Sequence, residues 1–193
     1  MKRETRQTKR PGLLEDGFSL METLIVIAIV AVLMALAIPT FKYVTQSNRS
    51  TAEINGLLSN LQLARAEAIK EGQTVSLCPS VDLVACSGVS NAWQTGWLVF
   101  SDTGVIGTID GTDFVVRVQR AFTGTDTLQT DHNVSVITFS REGFAMNLPN
   151  GLTFTLHDST ANPQYTRCLS LTIVGALSTQ IAGAQTAEAV PCT

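Results

Sequence analysis

Positive charge is nearly missing from the C-terminal part of this chain. Beyond Gly72 the only bases are Arg117, Arg120, Arg141 and Arg167, set against nine acids. A surface of that sign repels phosphate, which argues against a general affinity for nucleic acid or anionic lipid. Histidine is scarce as well. His132 and His157 stand isolated, and lone histidines on strand-like text are more often surface or core residues than catalytic bases. No serine lies in a nucleophile-elbow context, and no glycine-rich phosphate loop joins a strand to a helix, so the common hydrolase and nucleotide-binding signatures are missing. There is no close Cys-x-x-Cys pair, and neither histidine lies near a cysteine; zinc ligation has no support. No internal repeat is visible. The chain is read as a non-enzyme with no catalytic residue, no metal and no cofactor.

What the chain does have is one long apolar run. Phe18 to Ile38 is almost unbroken, and a basic stretch (Lys2, Arg3, Arg6, Lys9, Arg10) precedes it. The run is about the length that spans a bilayer, yet Glu22 sits inside its start. A carboxylate in a membrane segment costs several kcal/mol unless it is paired, so it marks a function by default. Two plainer readings compete. An ordinary anchor fits the length, and Ala35-Leu36-Ala37 imitates the small-residue cleavage site of a secretory signal. Neither explains Glu22 or the Gly17-Phe18 junction before it.

Gly17-Phe18-Ser19-Leu20-Met21-Glu22, with Pro39 further on, resembles the leader junction of type IV pilins and type II secretion pseudopilins. The resemblance covers Gly17 to about Phe41. It implies that a membrane-bound prepilin peptidase cuts between Gly17 and Phe18 and N-methylates Phe18. Glu22 is then the anionic residue of filament assembly. It would accept the new Phe18 ammonium of a neighbouring subunit, and Pro39 would kink the helix. The implied partners are other minor and major pilins or pseudopilins, the prepilin peptidase and the inner membrane. The implied location is a single-pass inner-membrane protein with a periplasmic head, moving to an extracellular filament tip after assembly.

On this reading residues 1–17 are a leader peptide, 18–39 the transmembrane, filament-core half of a helix, 40–72 its amphipathic half, and 73–193 a periplasmic β head. The leader holds five bases and three acids, which leaves 8 Lys+Arg against 13 Asp+Glu in the mature chain. Helix signals run from Phe18 to Glu71, a rod of about 80 Å at 1.5 Å per residue. Ile54, Leu57, Leu58, Leu61, Ala64, Ala68 and Ile69 follow the helical rhythm. Asn48, Arg49, Glu53, Asn60, Arg65 and Lys70 fall mostly on other faces, and Gly72 is placed as a C-cap. After it the period shortens. Strands are expected at 74–77, 96–100, 114–121, 134–139, 144–148, 152–157, 169–174 and 177–182, with hairpin turns at 141–143 and 149–151 and a polar loop over 123–133. The fold class is α+β: a pilin-like long N-terminal helix, half transmembrane, packed against a mainly antiparallel β head.

A second resemblance lies further along. Leu61 to Ile69, Val75-Ser76-Leu77-Cys78-Pro79 and Trp93-Gln94-Thr95-Gly96-Trp97-Leu98-Val99-Phe100-Ser101-Asp102 are similar to the FimT/FimU/GspH branch, whose members prime assembly and sit at or near the tip. Some FimT proteins bind DNA through a glycine-arginine-x-arginine element. The matching stretch here is Gly175-Ala176-Leu177-Ser178, without either arginine, so a DNA receptor is disfavoured and nucleic acid is not an expected partner.

Four cysteines in an exported head suggest two disulfides. Three pairings are open; the favoured one closes two local loops, Cys78 with Cys86 and Cys168 with Cys192. Trp93 and Trp97 are read as core residues packing the head against the helix, over the alternative of an exposed binding surface. Asp102, Asp110 and Asp113 share a glycine-rich stretch whose oxygens would suit calcium. Their spacing misses the EF-hand pattern, and they are read as turn residues.

Overall fold

The computed structural model describes residues 17–148, 150–182 and 192. Residues 1–16, most of the expected leader 1–17, and Pro149 of the expected turn lie outside them. The chain divides into two compact units, Met1–Lys42 and Tyr43–Thr193.

One helix, α1 (Leu20–Glu71), runs through Pro39 without a break in its assignment. Its start is local chemistry. Ser19 caps it, with the Glu22 N–H donating to Ser19 Oγ at 3.1 Å and the Thr23 N–H to the Ser19 carbonyl at 3.1 Å. This is the Ser-x-x-Glu arrangement that favours a helix N-terminus. Its end is local too. Gly72 adopts φ +68° and donates its N–H to the Ala68 carbonyl at 3.0 Å, the left-handed cap that a residue without Cβ forms at least cost. In the first unit α1 carries a stretch long and apolar enough to cross a membrane, and none of that stretch is buried.

Among the described residues, the second unit holds the rest of α1 and nine strands in two antiparallel sheets. Sheet A has the order β3-β2-β1-β5-β6, from β1 (Val75–Pro79), β2 (Gly96–Ser101), β3 (Val115–Arg120), β5 (Ile137–Phe139) and β6 (Ala145–Met146). Sheet B has the order β4-β7-β8-β9, from β4 (Thr127–Thr130), β7 (Leu152–His157), β8 (Arg167–Leu171) and β9 (Leu177–Ile181). Their inner faces share one core with the helix. Ile54, Leu57, Leu61, Ala64 and Ala68 meet Val75, Leu77, Trp97, Val99, Ile137 and Phe139 from sheet A, and Leu128, Phe154, Leu156, Leu169 and Leu171 from sheet B. Each fully buried Leu, Ile or Phe contributes about 1.5–3 kcal/mol.

β1 and β2 are buried on both faces, which hides the alternation expected of a half-buried strand. On the outer side Cys78, Leu98 and Phe100 form a second, smaller core under Leu83, Cys86, Ile109 and Val136. The cover is held by the Cys78–Cys86 disulfide, and a second disulfide joins Cys168 to Cys192. Both pairings are those favoured from spacing.

Several expectations need correction. The polar stretch 123–133 contains β4, which pairs with β7 from Thr127↔His157 to Thr130↔Phe154. Its threonines are β-branched and fit a pleated surface; Leu128 and Thr130 are its buried residues, and Leu128 supplies the apolar contact with the core. The turn at 149–151 does not close a hairpin, since β6 pairs with β5 and β7 with β4 and β8; the chain there crosses between sheets. The expected strands at 134–139 and 144–148 shrink to Ile137–Phe139 and Ala145–Met146. On α1, Ile69 is half exposed, whereas Asn60 is buried. The Asn60 amide donates to the Gly56 carbonyl one turn back at 2.8 Å, which lets a polar side chain border the apolar stripe.

Candidate functional site

The N-terminal site is assembled by the cap. Ser19 fixes the first turn, and Glu22 therefore occupies its third position, where a negative charge complements the exposed N–H groups and the helix dipole. Phe18, Glu22 and the apolar side chains that follow, Leu24 to Ile38, are all solvent-exposed. Chemically this is a lipid- or helix-seeking surface with a single carboxylate at its head. Ser19 was not singled out in the sequence reading, although the Ser-x-x-Glu spacing was its signal.

In the head, three arginines on or against α1 join it to the β structure, and the sequence reading assigned none of them a role. Arg49 engages Asp126 with two nitrogens: Nε donates to Oδ2 at 3.0 Å, and a terminal nitrogen donates to Oδ1. The Asp126 side chain is completely buried. Arg65 donates to the Gly143 carbonyl at 3.0 Å and the Val174 carbonyl at 3.2 Å, clamping two turns to the helix. Gly175 lies in one of them at φ +75°, where an added Cβ would strike the Gly143 carbonyl oxygen. Arg167, itself buried, reaches back from β8 to Ser47 Oγ at 2.9 Å and to the carbonyls of Gln164 and Thr166 at 2.9 and 3.0 Å.

Glu53 completes the first of these contacts. It lies one turn after Arg49, with Nε to Oε1 at 3.9 Å, and its Oε2 is buried without a hydrogen-bond partner. Burial, then the neighbouring Asp126 carboxyl, raises its pKa to about 7. Two carboxyls thus share one guanidinium, and the arrangement favours a proton on Glu53. The sign follows directly. An acid whose folded pKa lies above its unfolded value binds more protons when folded, so stability falls as pH rises from the unfolded pKa, near 4.5, through about 7. Glu53→Gln, which keeps a donor for Asp126 without a charge, is expected to raise stability at pH 8 by about 1–2 kcal/mol after allowing for solvent screening. It should also flatten the slope between pH 5 and 8. Urea denaturation across a pH series checks this; a variant with the parental slope would refute the shared proton.

The remaining expected residues sort clearly. Trp93 and Trp97 are fully buried; Trp93 meets Phe154 edge-on at 5.1 Å and donates to the Val134 carbonyl. Trp97 meets Phe122 edge-on at 6.0 Å. Asp102, Asp110 and Asp113 turn their carboxylates onto their own neighbourhood. Asp102 accepts from Ser76 Oγ and the Gly107 N–H, Asp110 from the Val105 and Thr112 N–H groups, and Asp113 from the Thr103 and Asp110 N–H groups. Among the described residues no group of three or more potential metal ligands comes together. His132 sits 2.8 Å from an Asp131 carboxylate oxygen and His157 3.3 Å from the Thr166 hydroxyl.

The family model described as "Type II transport protein GspH" matches residues 53–175, more than half of the chain. The chain belongs to the GspH family. This places it among the minor pilins and pseudopilins, which are structural subunits. A curated relative called "Fimbrial protein", from Dichelobacter nodosus, is 34% identical over 100 residues, covering 51% of this chain and 55% of that protein. The chain thus spans about half the length of that relative. In fold, this GspH-family chain is similar to the type IV minor pilin FimU of Pseudomonas aeruginosa, with TM-score 0.54, 19% identity, and 72% and 92% of the two chains covered. It is also similar to the minor pseudopilin EpsH of Vibrio cholerae, with TM-score 0.50, 14% identity, and 70% and 99% covered. The pilin-like fold, a long helix with antiparallel sheets, is common to all three.

Proposed function

We propose that this GspH-family subunit is a minor pilin, cut between Gly17 and Phe18 by prepilin peptidase and N-methylated on Phe18. Residues 18–39 then join a filament core in the inner membrane, while residues 73–193 form a periplasmic head that helps initiate assembly at the tip. The observation that carries this reading is the capped first turn, which sets Glu22 one turn from Phe18 at the head of an exposed apolar helix. In a core of such helices the Glu22 carboxylate accepts the Phe18 ammonium of a neighbour. Breaking such a buried pair from one side costs about 3–5 kcal/mol, so the pair penalises a wrong register more than it stabilises the right one.

A second reading, a subunit of a type II secretion system, is favoured by the likeness to EpsH. DNA reception draws little support. Gly175-Ala176-Leu177-Ser178 carries no arginine, and Arg141 and Arg167 are already engaged within the head.

Sequencing the mature N-terminus tests the proposal. N-methylated Phe18 is expected; Ile38 would indicate a secretory signal and Met1 an uncut anchor. Glu22→Ala should be cleaved normally yet enter filaments at least roughly tenfold less. Normal incorporation would remove Glu22 from assembly. A gene deletion scored for twitching and for protein secretion separates the two readings, since loss of secretion alone would select the second.

A further inference from the structure

β3 is the outer strand of sheet A, bonded to β2 on one side only. Among the described residues, no backbone hydrogen bond beyond that ladder reaches residues 115–120. Its outer edge therefore presents the outward N–H and C=O groups of a six-residue strand, about 20 Å of chain, with the Arg120 carbonyl accepting from Gln119 Nε2 at 3.2 Å. The side chains there are exposed: Val115, Arg117, Val118 and Arg120, with Phe114 beside them.

The charges on this edge set it apart. Among the head's four arginines, Arg141 pairs with Glu142 and Arg167 is buried against α1. Arg117 and Arg120 make no ion pair or side-chain hydrogen bond among the described residues. Both uncommitted guanidiniums of an acidic head thus sit on this outer strand of sheet A. The register places them on opposite faces, since Arg117 lies across from Val99, an inner-core residue, and Arg120 across from Gly96, three positions away. A groove of about 340 Å³, lined by Gln119, Phe122, Arg49 and Glu53 among others, runs between the end of β3 and the helix.

We propose that the β3 edge is a docking surface for an extended acidic segment of another subunit, added as a further antiparallel strand. The proposal rests on the assembly reading only for the source of that segment. Backbone pairing supplies affinity, and directly opposed opposite charges supply register. Because Arg117 and Arg120 face opposite ways, the segment they select carries two carboxylates three residues apart, one on each face. Two arginines on opposite faces suit a phosphate backbone poorly, since nucleic acid must meet several cations together.

The test uses the full chain in detergent micelles and capped octapeptides of threonine and valine. One peptide has two aspartates three residues apart, one has them two apart, and one has lysines in place of the aspartates. Fluorescence anisotropy should show the first binding roughly tenfold tighter than the lysine peptide at low salt, and several-fold tighter than the same-face peptide. Amide exchange at residues 115–120 should slow only when it is bound. Arg117→Glu/Arg120→Glu, both at exposed sites, should keep the parental circular dichroism and reverse the preference toward the lysine peptide. Equal binding of all three peptides, unchanged exchange in β3, or tighter binding of a single-stranded DNA octamer would overturn the assignment. The N-terminal sequencing result is independent of all three outcomes.

Discussion

Arg49→Ala is expected to destabilise the head by about 3–5 kcal/mol, the range for removing one partner of a buried ion pair. The Asp126 side chain has no exposure to water, and Arg49 grips both of its oxygens. Gln46 offers only a 3.5 Å contact to the same group. Without the guanidinium, Asp126 has an uncompensated charge beside a second carboxyl, Glu53. Glu53, whose pKa is raised to about 7, is largely ionised at pH 8 and protonated at pH 5, so the loss should be greater at pH 8 than at pH 5. The reverse truncation should cost less. Asp126→Ala leaves Arg49, whose side chain is 36% exposed, able to turn toward water and toward Glu53. Arg49→Met/Asp126→Ala should recover much of the loss, because two apolar replacements strand no charge. Urea titration of the three variants, compared as a double-mutant cycle, gives the coupling directly. A loss under about 1 kcal/mol for Arg49→Ala would mean that the pair behaves like a surface contact and does not hold the loop before β4 to the helix.

Opening the Cys168–Cys192 bridge is the second large effect. The disulfide closes a 24-residue separation and Cys78–Cys86 one of 8. In the chain-entropy model the longer loop contributes about 3.5 kcal/mol and the shorter about 2.6. Cys168 and Cys192 are both buried, so the longer bridge also pins the C-terminus to the middle of sheet B. Paired Cys→Ser variants should therefore rank with Cys168→Ser/Cys192→Ser the more destabilised, by about 1 kcal/mol. Thermal melts of the two variants decide the order. If the Cys78→Ser/Cys86→Ser form melts lower, the cover over Leu98 and Phe100 outweighs loop closure, and the entropic ranking fails.

The arginine–aspartate pair and the disulfides differ in how far the amino-acid order reveals them. Cysteine spacing is a count along the chain, so local pairing could be favoured without coordinates. The helix was equally open to reading. Its start has Ser19 three residues before Glu22, its stripe repeats at Ile54, Leu57, Leu61, Ala64 and Ala68, and its end is Gly72. The tryptophan block is also local, and both rings lie in the core as expected. β4 was missed because three of its four residues are polar and, of the two that are buried, Leu128 and Thr130, only Leu128 is apolar; one apolar position has no period. The turn at 149–151 was misread as a hairpin because turn chemistry reports a reversal and not which sheet receives the next strand.

Signals that act within a few residues could be read from the amino-acid order: the apolar run, the acid-bearing junction at Gly17 to Glu22, both helix caps, the cysteine loops and the strand periods after Gly72. The packing of the apolar stripe against the head was expected too, but the polar contacts that join helix to head could not be read. Arg49 meets Asp126 across 77 residues, Arg65 meets Val174 across 109 and Arg167 meets Ser47 across 120. An arginine on an amphipathic helix has the same one-dimensional appearance whether it ends in water or on a buried carboxylate. Only folding brings the two groups together, and burial then turns an ordinary surface charge into one whose partner cannot be removed cheaply.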